Sequence, residues 1–539
     1  MIYSFAKTGH FTQVPPELHN PFRDDPMLDR VLQRFLPVNA YKEVTKDLDR
    51  FGDRIINECH ELAKECENNP PKLEQFDAWG NRVDKLILTP AWDKLKNIAA
   101  EEGLISIGYD DKRDPLYRRI HQFSKLYMFS PAAGLTTCPL AMTDGAVKTI
   151  KENNLTSKIP EISEAYKRLT SNDPSYFWTS GQWMTEKAGG SDVGGGTDTY
   201  ATLIKGNQYR LNGYKWFSSA IDANVSLVLA RVADKNGEVV KISDEDRGVA
   251  TISTMLNVTR IYNTVGSCSA MRVVIAGARD YATKRVAFGQ KLSDWPLHMA
   301  TIAKMEVQAR ASFLLFMESV RLLGKQEAGK ATVNELLNLR LMTPIAKLYN
   351  AKVAMPLISE GLECFGGQGY IEDNWLPQAL RDAQVGTIWE GTTNVLSLDV
   401  LRVLAGKENA LEEFKKFILC ILEENKDKNS TKLEECKKSL LNALDHLLDF
   451  LPKVVEKSLE NIMRIDRGAR EIAFAIAKIY CGAFLISHAS HQVGNETDED
   501  VACRFCLEEG FVTLKSEMFD VNRIGPDRNM VFENFKNKL

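Results

Sequence analysis

The chain is poor in several things, and each shortage removes a class of function. No uninterrupted apolar run approaches the roughly 20 residues needed to cross a bilayer, so no membrane span is expected. Neither sign of charge dominates. The 68 Lys and Arg stand against 72 Asp and Glu, a formal net charge of −4, which gives no general attraction to nucleic acid or an anionic membrane. The N-terminal MIYSFAKTGHFTQVPPELHN has neither the apolar core of a secretory signal nor the Arg-rich pattern of a transit peptide. The terminal Asn-Lys-Leu lacks the small first residue of a peroxisomal address, so cytoplasm or mitochondrial matrix is the expected compartment. The ten cysteines are scattered through 539 residues and read as reduced thiols. Cys503 and Cys506 make a lone CxxC with no second pair, and His488 and His491 lack carboxylates or thiols at ligand spacing. All four read as structural, and no metal is expected. Strands and helices do not alternate as βαβ, which argues against a doubly wound nucleotide-binding sheet. Gly366-Gly367-Gln368-Gly369 resembles part of a dinucleotide fingerprint but follows helix, and no GK[ST] follows a glycine-rich loop.

What is present is a long chain of globular composition, 44% hydrophobic and 26% charged with mean hydropathy −0.25. Its length suggests three or four units. From Pro26 to Thr170 apolar residues recur at three- and four-residue spacing, as in VTKDLDRFGDRIINECHELAKEC, which predicts helix. Near Phe177 the pattern changes. Glycine becomes dense in EKAGGSDVGGG, and TYATLIKGNQYRLNGYKWFSS and ANVSLVLARVA predict short strands joined by Gly-Asn and Asn-Gly turns. Helix returns at Val249 and continues to the C-terminus. The expected fold is mostly α with a small β module: an N-terminal helical domain (1–176), a middle β-domain (177–248), a helical bundle (249–405) and a helical extension (406–539).

Two segments could carry chemistry. TEKAGGSDVGGGT (Thr185–Thr197) is rich in small residues and hydroxyls, so its backbone N–H groups can approach an anion such as pyrophosphate, while Ser191 and Thr185 add donors. A plain glycine-rich connection explains the same composition. IWEGTTN (Ile388–Asn394) offers one carboxylate, Glu390, beside Ile388 and Trp389. Partial desolvation there would raise its pKa and suit a general base. An ordinary surface glutamate is the alternative.

Five segments occur together and in order: MTEKAGGSD (Met184–Asp192), NGYKWFSS (Asn212–Ser219), RVAFGQKL (Arg285–Leu292), ECFGGQGY (Glu363–Tyr370) and LRDAQVGTIWEGTTN (Leu380–Asn394). In order, and mostly in spacing, they resemble the acyl-CoA dehydrogenase family over residues 20 to 405. Lys187, the IWEG form of the last motif, FDAWGNRVDKL and the long C-terminal extension resemble its AidB-like branch.

The resemblance implies FAD as cofactor, between the β module and the helical bundle. Gln182, Trp183, Met184, Thr185, Glu186, Lys187, Ala188, Gly189, Gly190 and Ser191 would line the isoalloxazine, and Phe217, Ser218 and Ser219 would cover one flavin face. Arg285 and Phe288, with Glu363, Gly366 and Gly367, would reach the adenosine half of a neighbouring subunit's FAD, implying a homodimer or homotetramer. Thr392, Thr393 and Asn394 would contact FAD phosphates and ribose. Ser191, Asn257 and Arg260 would hold the pantetheine of a fatty acyl-CoA substrate. Glu390 would remove the proton next to the thioester carbonyl while hydride passes from the next carbon to flavin N5, giving an α,β double bond.

Lys187 stands where most members have Pro, Glu363 where most have Gln, and Phe217 where many have Trp. A larger departure follows Val240, where VSLVLARVADKNGEVVK runs straight into ISDEDRGVATISTMLN. The family has several more strands there, on the order of fifty residues, so the β-domain reads as shortened. That departure favours a second reading, a flavin- and fatty-acyl-binding protein without turnover. A nucleic-acid role through the extension is disfavoured, since Asp and Glu outnumber Lys and Arg beyond Ala405.

Overall fold

The computed structural model describes residues 13–157, 159–206, 208–233, 247–406, 409–424, 430–454, 464–533 and 535. They form two compact units. The first comprises 1–302, 323–330 and 354–386, and the second 303–322, 331–353 and 387–539. The expected junction between Val240 and Ile242 lies outside the described residues.

Helices begin where the sequence supplies caps. Thr89 accepts from the Ala91 amide ahead of Pro90, starting Pro90–Glu101. Asn495 and Asp498 form a reciprocal capping box for Glu496–Cys503.

Within the first unit, helix Arg118–Phe129 is buried on every face although it carries two arginines, a lysine and a histidine. Each charge has a partner. Arg119 lies 2.8 Å from Asp144 and 2.7 Å from Glu327, and Lys148 lies 2.8 Å from Glu327. The hydroxyls of Tyr109 and Tyr262 and the amide of Gln122 also donate to Asp144. Lys125 bridges Asp47 and Glu102 at 2.8 and 2.9 Å. Burial pushes the Glu327 carboxyl up, but Arg119 and Lys148 outweigh it and hold it at about 2.

Arg119→Met is expected to cost about 3–5 kcal/mol, because it strands two buried carboxylates without their shared cation. Urea unfolding measures this. Glu327 titrates lower folded than unfolded, so its contribution is complete above the unfolded value of about 4.3 and is lost as pH falls toward 2. Wild-type stability should therefore decline below about pH 4, and the decline should be shallower in the variant, where the Glu327 carboxyl has lost one of its two cations and lies closer to its unfolded value.

The N-terminal region is not wholly helical. Strands β1 (Lys72–Phe76) and β2 (Arg82–Ile87) form an antiparallel hairpin. Almost every residue in it is exposed, so neither face supplies the apolar alternation that marks a strand.

The β module contains two small sheets. Strand β3 (Ser180–Trp183) pairs in parallel with β6 (Val225–Val228). Strand β4 (Tyr200–Lys205) lies between antiparallel β5 (Gln208–Asn212) and parallel β7 (Arg231–Ala233). The expected strand over NGYKWFSS does not form: β5 ends at Asn212, and residues 213–219 run as an irregular segment. Helix resumes at Arg247 and runs to Lys284. A short hairpin follows, β8 (Val286–Ala287) with β9 (Gln290–Lys291).

In the second unit, helix Ala469–Ser490 is long and apolar enough to cross a membrane by length and composition, yet it is mostly buried inside the protein. Tyr480 donates to Asn338 at 2.6 Å and Lys478 to the Gly510 carbonyl at 2.9 Å. A core helix satisfies these features. Cys436 Sγ lies 3.6 Å from Cys503 Sγ, and His488 lies 3.7 Å from Asp498. Among the described residues no group of three or more His, Cys, Asp or Glu is gathered to hold a metal.

Candidate active site

Strand β3 carries Gln182 and Trp183 and delivers the chain into the glycine-rich loop at Met184 and Thr185. The loop folds on itself. Glu186 and Gly189 exchange backbone hydrogen bonds at 3.1 Å in both directions. Gly189 and Gly196 approach so closely that a Cβ on either would lie under 3 Å from the other's Cα. Only glycine permits that contact. Lys187, Ala188, Gly190 and Ser191 lie exposed on the outside of the turn.

The irregular segment 213–219 lies against this loop. Trp216 N–H donates to the Thr185 carbonyl at 2.9 Å, and Trp183 Nε1 donates to the Ser219 carbonyl at 3.0 Å. The structure thus brings together the two segments expected to face the flavin. Two polar groups of the loop are engaged within the protein. The Gly189 amide donates to the Glu186 carbonyl and is not available to an anion. The Glu186 carboxylate is buried and ion-paired with Lys215 at 2.6 Å.

Three expected site residues share an uncommon backbone. Phe217, Phe288 and Glu390 have φ of 55°, 52° and 58°. Left-handed backbone at such side chains costs roughly 1–2 kcal/mol, and strain of this kind clusters at functional sites. Phe288 and Gly289, with φ of 52° and 88°, are the tip of the β8–β9 turn, where Phe288 is 96% exposed. Arg285 begins the same hairpin. Glu363 ends helix Val333–Glu363 and is exposed, and Gly366 and Gly367 follow in a tight turn. Tyr281 and Phe365 rings stand 5.2 Å apart, placing the two adenosine-side segments beside each other. Asn257 and Arg260 lie three residues apart on helix Arg247–Lys284, hence on one face, both half-buried. Ser191 is exposed on its loop.

Within the second unit, Glu390 is half-buried and precedes Gly391, whose φ is 107°. Its neighbours Ile388 and Trp389 are 54% and 37% exposed. The turn is held from below by buried Lys347, which donates to the Gly391 carbonyl at 2.6 Å. Thr392 caps helix Thr393–Leu404, with Thr393 and Asn394 in its first turn. That end favours anionic groups through its free amides and dipole. Arg470 donates to Asn394 Oδ1 at 3.2 Å, so the extension touches the motif. Lys347 and Arg470 were not marked by any local pattern.

The residues fit a flavin on one observation in particular. Gln182 Oε1 is buried and accepts no hydrogen bond among the described residues. A ring N–H of the kind flavin carries would satisfy it.

Helical segments flanking a small β module, with a further helical extension, define an acyl-CoA dehydrogenase-type fold. Comparison with known proteins agrees. Residues 246–405 match the acyl-CoA dehydrogenase C-terminal domain, 409–532 the acyl-CoA dehydrogenase 11 C-terminal domain-like family, and 13–167 the adaptive response protein AidB N-terminal domain. Acyl-CoA dehydrogenase family member 11 of Caenorhabditis elegans is 51% identical, covering 99% of this chain and 94% of the relative. Escherichia coli AidB is 30% identical over 66% of this chain and 73% of its own. The crystal structure of Caenorhabditis elegans ACDH-11 in complex with C11-CoA superposes with a TM-score of 0.96 at 51% identity, covering 99% of both chains. The chain belongs to the acyl-CoA dehydrogenase family and carries an AidB-type N-terminal domain. Its alignment with the Caenorhabditis elegans relative runs over 584 residues, 45 more than this whole chain contains. That relative therefore has residues with no counterpart here.

Proposed function

We propose that this protein is an FAD-dependent dehydrogenase of fatty acyl-CoA thioesters, with Glu390 as the base. The observation that carries the reading is the strained, left-handed Glu390 on a turn clamped by Lys347, at the start of a capped helix. Strain of that kind holds a carboxylate in one orientation. Glu390 takes the proton from the carbon next to the thioester carbonyl. The electron pair left behind forms the α,β double bond as hydride leaves the adjacent carbon. FAD, when bound, supplies the hydride acceptor. Gln182, Thr185 and the Phe217–Ser219 segment hold and cover its ring, and Thr392–Asn394 meet its phosphates. Ser191, Asn257 and Arg260 hold the pantetheine. Because Phe288 projects bare into solvent, we assign the Arg285–Phe288 hairpin and the Glu363–Gly367 turn to FAD on another subunit, in a dimer or tetramer.

Incubation with saturated acyl-CoA and an artificial electron acceptor tests the reaction. The expected product is two mass units lighter, an enoyl-CoA; unchanged thioester at every chain length would contradict the assignment.

A second reading rests on the residues that the relative has and this chain lacks. On that reading the scaffold binds flavin and acyl-CoA without turnover. It predicts acyl-CoA binding with no enoyl product.

A further inference from the structure

Among the described residues of the β module, Glu186 is the most heavily coordinated carboxylate. Its Oε1 accepts from Lys215 Nζ and the Thr199 hydroxyl, both at 2.6 Å, and from the Thr199 amide at 3.1 Å. Its Oε2 accepts from the Asp198 amide at 2.8 Å. Lys215 and Glu186 side chains are only 9% and 6% exposed, so the pair is sealed from water where its attraction is strong. Lys215 also donates to the Met184 carbonyl at 3.3 Å. One residue further on in each segment, the Lys187 ammonium sits 4.3 Å from the Trp216 ring centroid, a cation–π contact. Two consecutive residues of the glycine-rich loop thus grip two consecutive residues of the 213–219 segment.

This arrangement is directed. The loop has few apolar side chains to hold its shape, and the segment carrying Phe217 has no strand pairing. The four contacts on Glu186 add a buried side-chain tie to the backbone bonds that already join them. Burial pushes the Glu186 carboxyl up, but the bonds from Lys215, Thr199 and the two amides prevail and bring it to about 2. With that low affinity for a proton and both oxygens already engaged, it is a poor proton acceptor near neutrality.

We propose that Glu186 and Lys215 are positioning residues, a clasp that locks the glycine-rich loop onto the Trp216–Ser219 segment in the one geometry that receives the flavin. The clasp rests on the flavin reading above for its purpose, but its existence can be tested apart from it. In the cofactor-free protein, amide hydrogen exchange over 185–199 and 213–219 should accelerate in Glu186→Gln and Lys215→Met. The double variant should be no worse than either single, as expected for partners in one interaction. Added FAD should bind roughly tenfold or more weakly in each single variant, with Lys215→Arg recovering part of the loss. The pH dependence separates this role from general destabilisation. In wild type, FAD affinity should be flat from pH 7 to 5, because Glu186 titrates far below that range. In Lys215→Met the carboxyl loses its cation, its pKa rises, and affinity should fall as pH drops through that range. Unaltered exchange in both variants overturns the clasp whether or not FAD binds. Faster exchange with undiminished FAD affinity shows a clasp that does not serve the flavin and overturns the positioning role. If wild type itself ignores FAD, the flavin reading fails, and the exchange arm still decides the clasp.

Discussion

Glu390→Gln is expected to leave acyl-CoA bound and to slow flavin reduction by roughly 10²–10⁴-fold, the usual worth of a positioned general base. The amide keeps the size of the carboxylate and its place on the turn, so Lys347 still holds Gly391 and the helix cap at Thr392 is undisturbed. Only the proton acceptor is removed. Rapid mixing of acyl-CoA with the oxygen-free protein follows the flavin band directly. Substrate affinity, read from the concentration dependence, should change little. Reduction at the wild-type rate would place the base elsewhere. Glu186 could not be its substitute, because it is already committed to Lys215.

The second large effect concerns the β module. Among the described residues, strand β3 pairs with β6 alone and the other sheet has three strands. Two-stranded pieces are marginal in water, and parallel pairs are ordinarily covered on both faces. Here Tyr200 and Ile204 on one face of this sheet, and Leu203 and Leu211 on the other, are 36–55% exposed. The relative's extra residues, at least 45 of them, are the natural cover if they belong after Val240, as the sequence pattern indicates. Amide exchange over Phe177–Ala233 should then be faster than in the helical run His298–Leu323 by roughly two orders of magnitude or more, since local opening there needs little free energy. Grafting the relative's insert after Val240 should slow that exchange and raise flavin content, because a ligand binds in proportion to the competent fraction. Equal exchange in the two regions would mean the module is complete as it stands.

The candidate site was drawn from sequence through motifs that are local. Glu390, Phe288 and Phe217 were each marked by a short run of residues, and the structure adds that all three share left-handed backbone. The β1–β2 hairpin was missed because Leu73, Phe76, Trp79 and Val83 are all exposed and pattern reading looks for a buried face. The NGYKWFSS segment was misread as strand because its aromatic residues have strand propensity. What overrides propensity is long-range: Lys215 and Trp216 are drawn to Glu186 and Thr185, about thirty residues away, and no spacing rule sees that pairing. The same holds for Lys347 beneath Gly391 and Arg470 beside Asn394. Side-chain roles in the glycine-rich loop were likewise hidden. Composition suggested amides free for an anion, whereas Gly189 spends its own on Glu186.

The most direct measurement is the visible spectrum of the purified protein, reconstituted with FAD, as acyl-CoAs of graded length are added without oxygen. A yellow protein whose flavin band bleaches with a preferred chain length, and keeps its colour with free CoA, is the predicted result. A folded protein that takes up no FAD, or one that holds FAD and bleaches with no acyl-CoA of any length, would contradict a dehydrogenase built on Glu390.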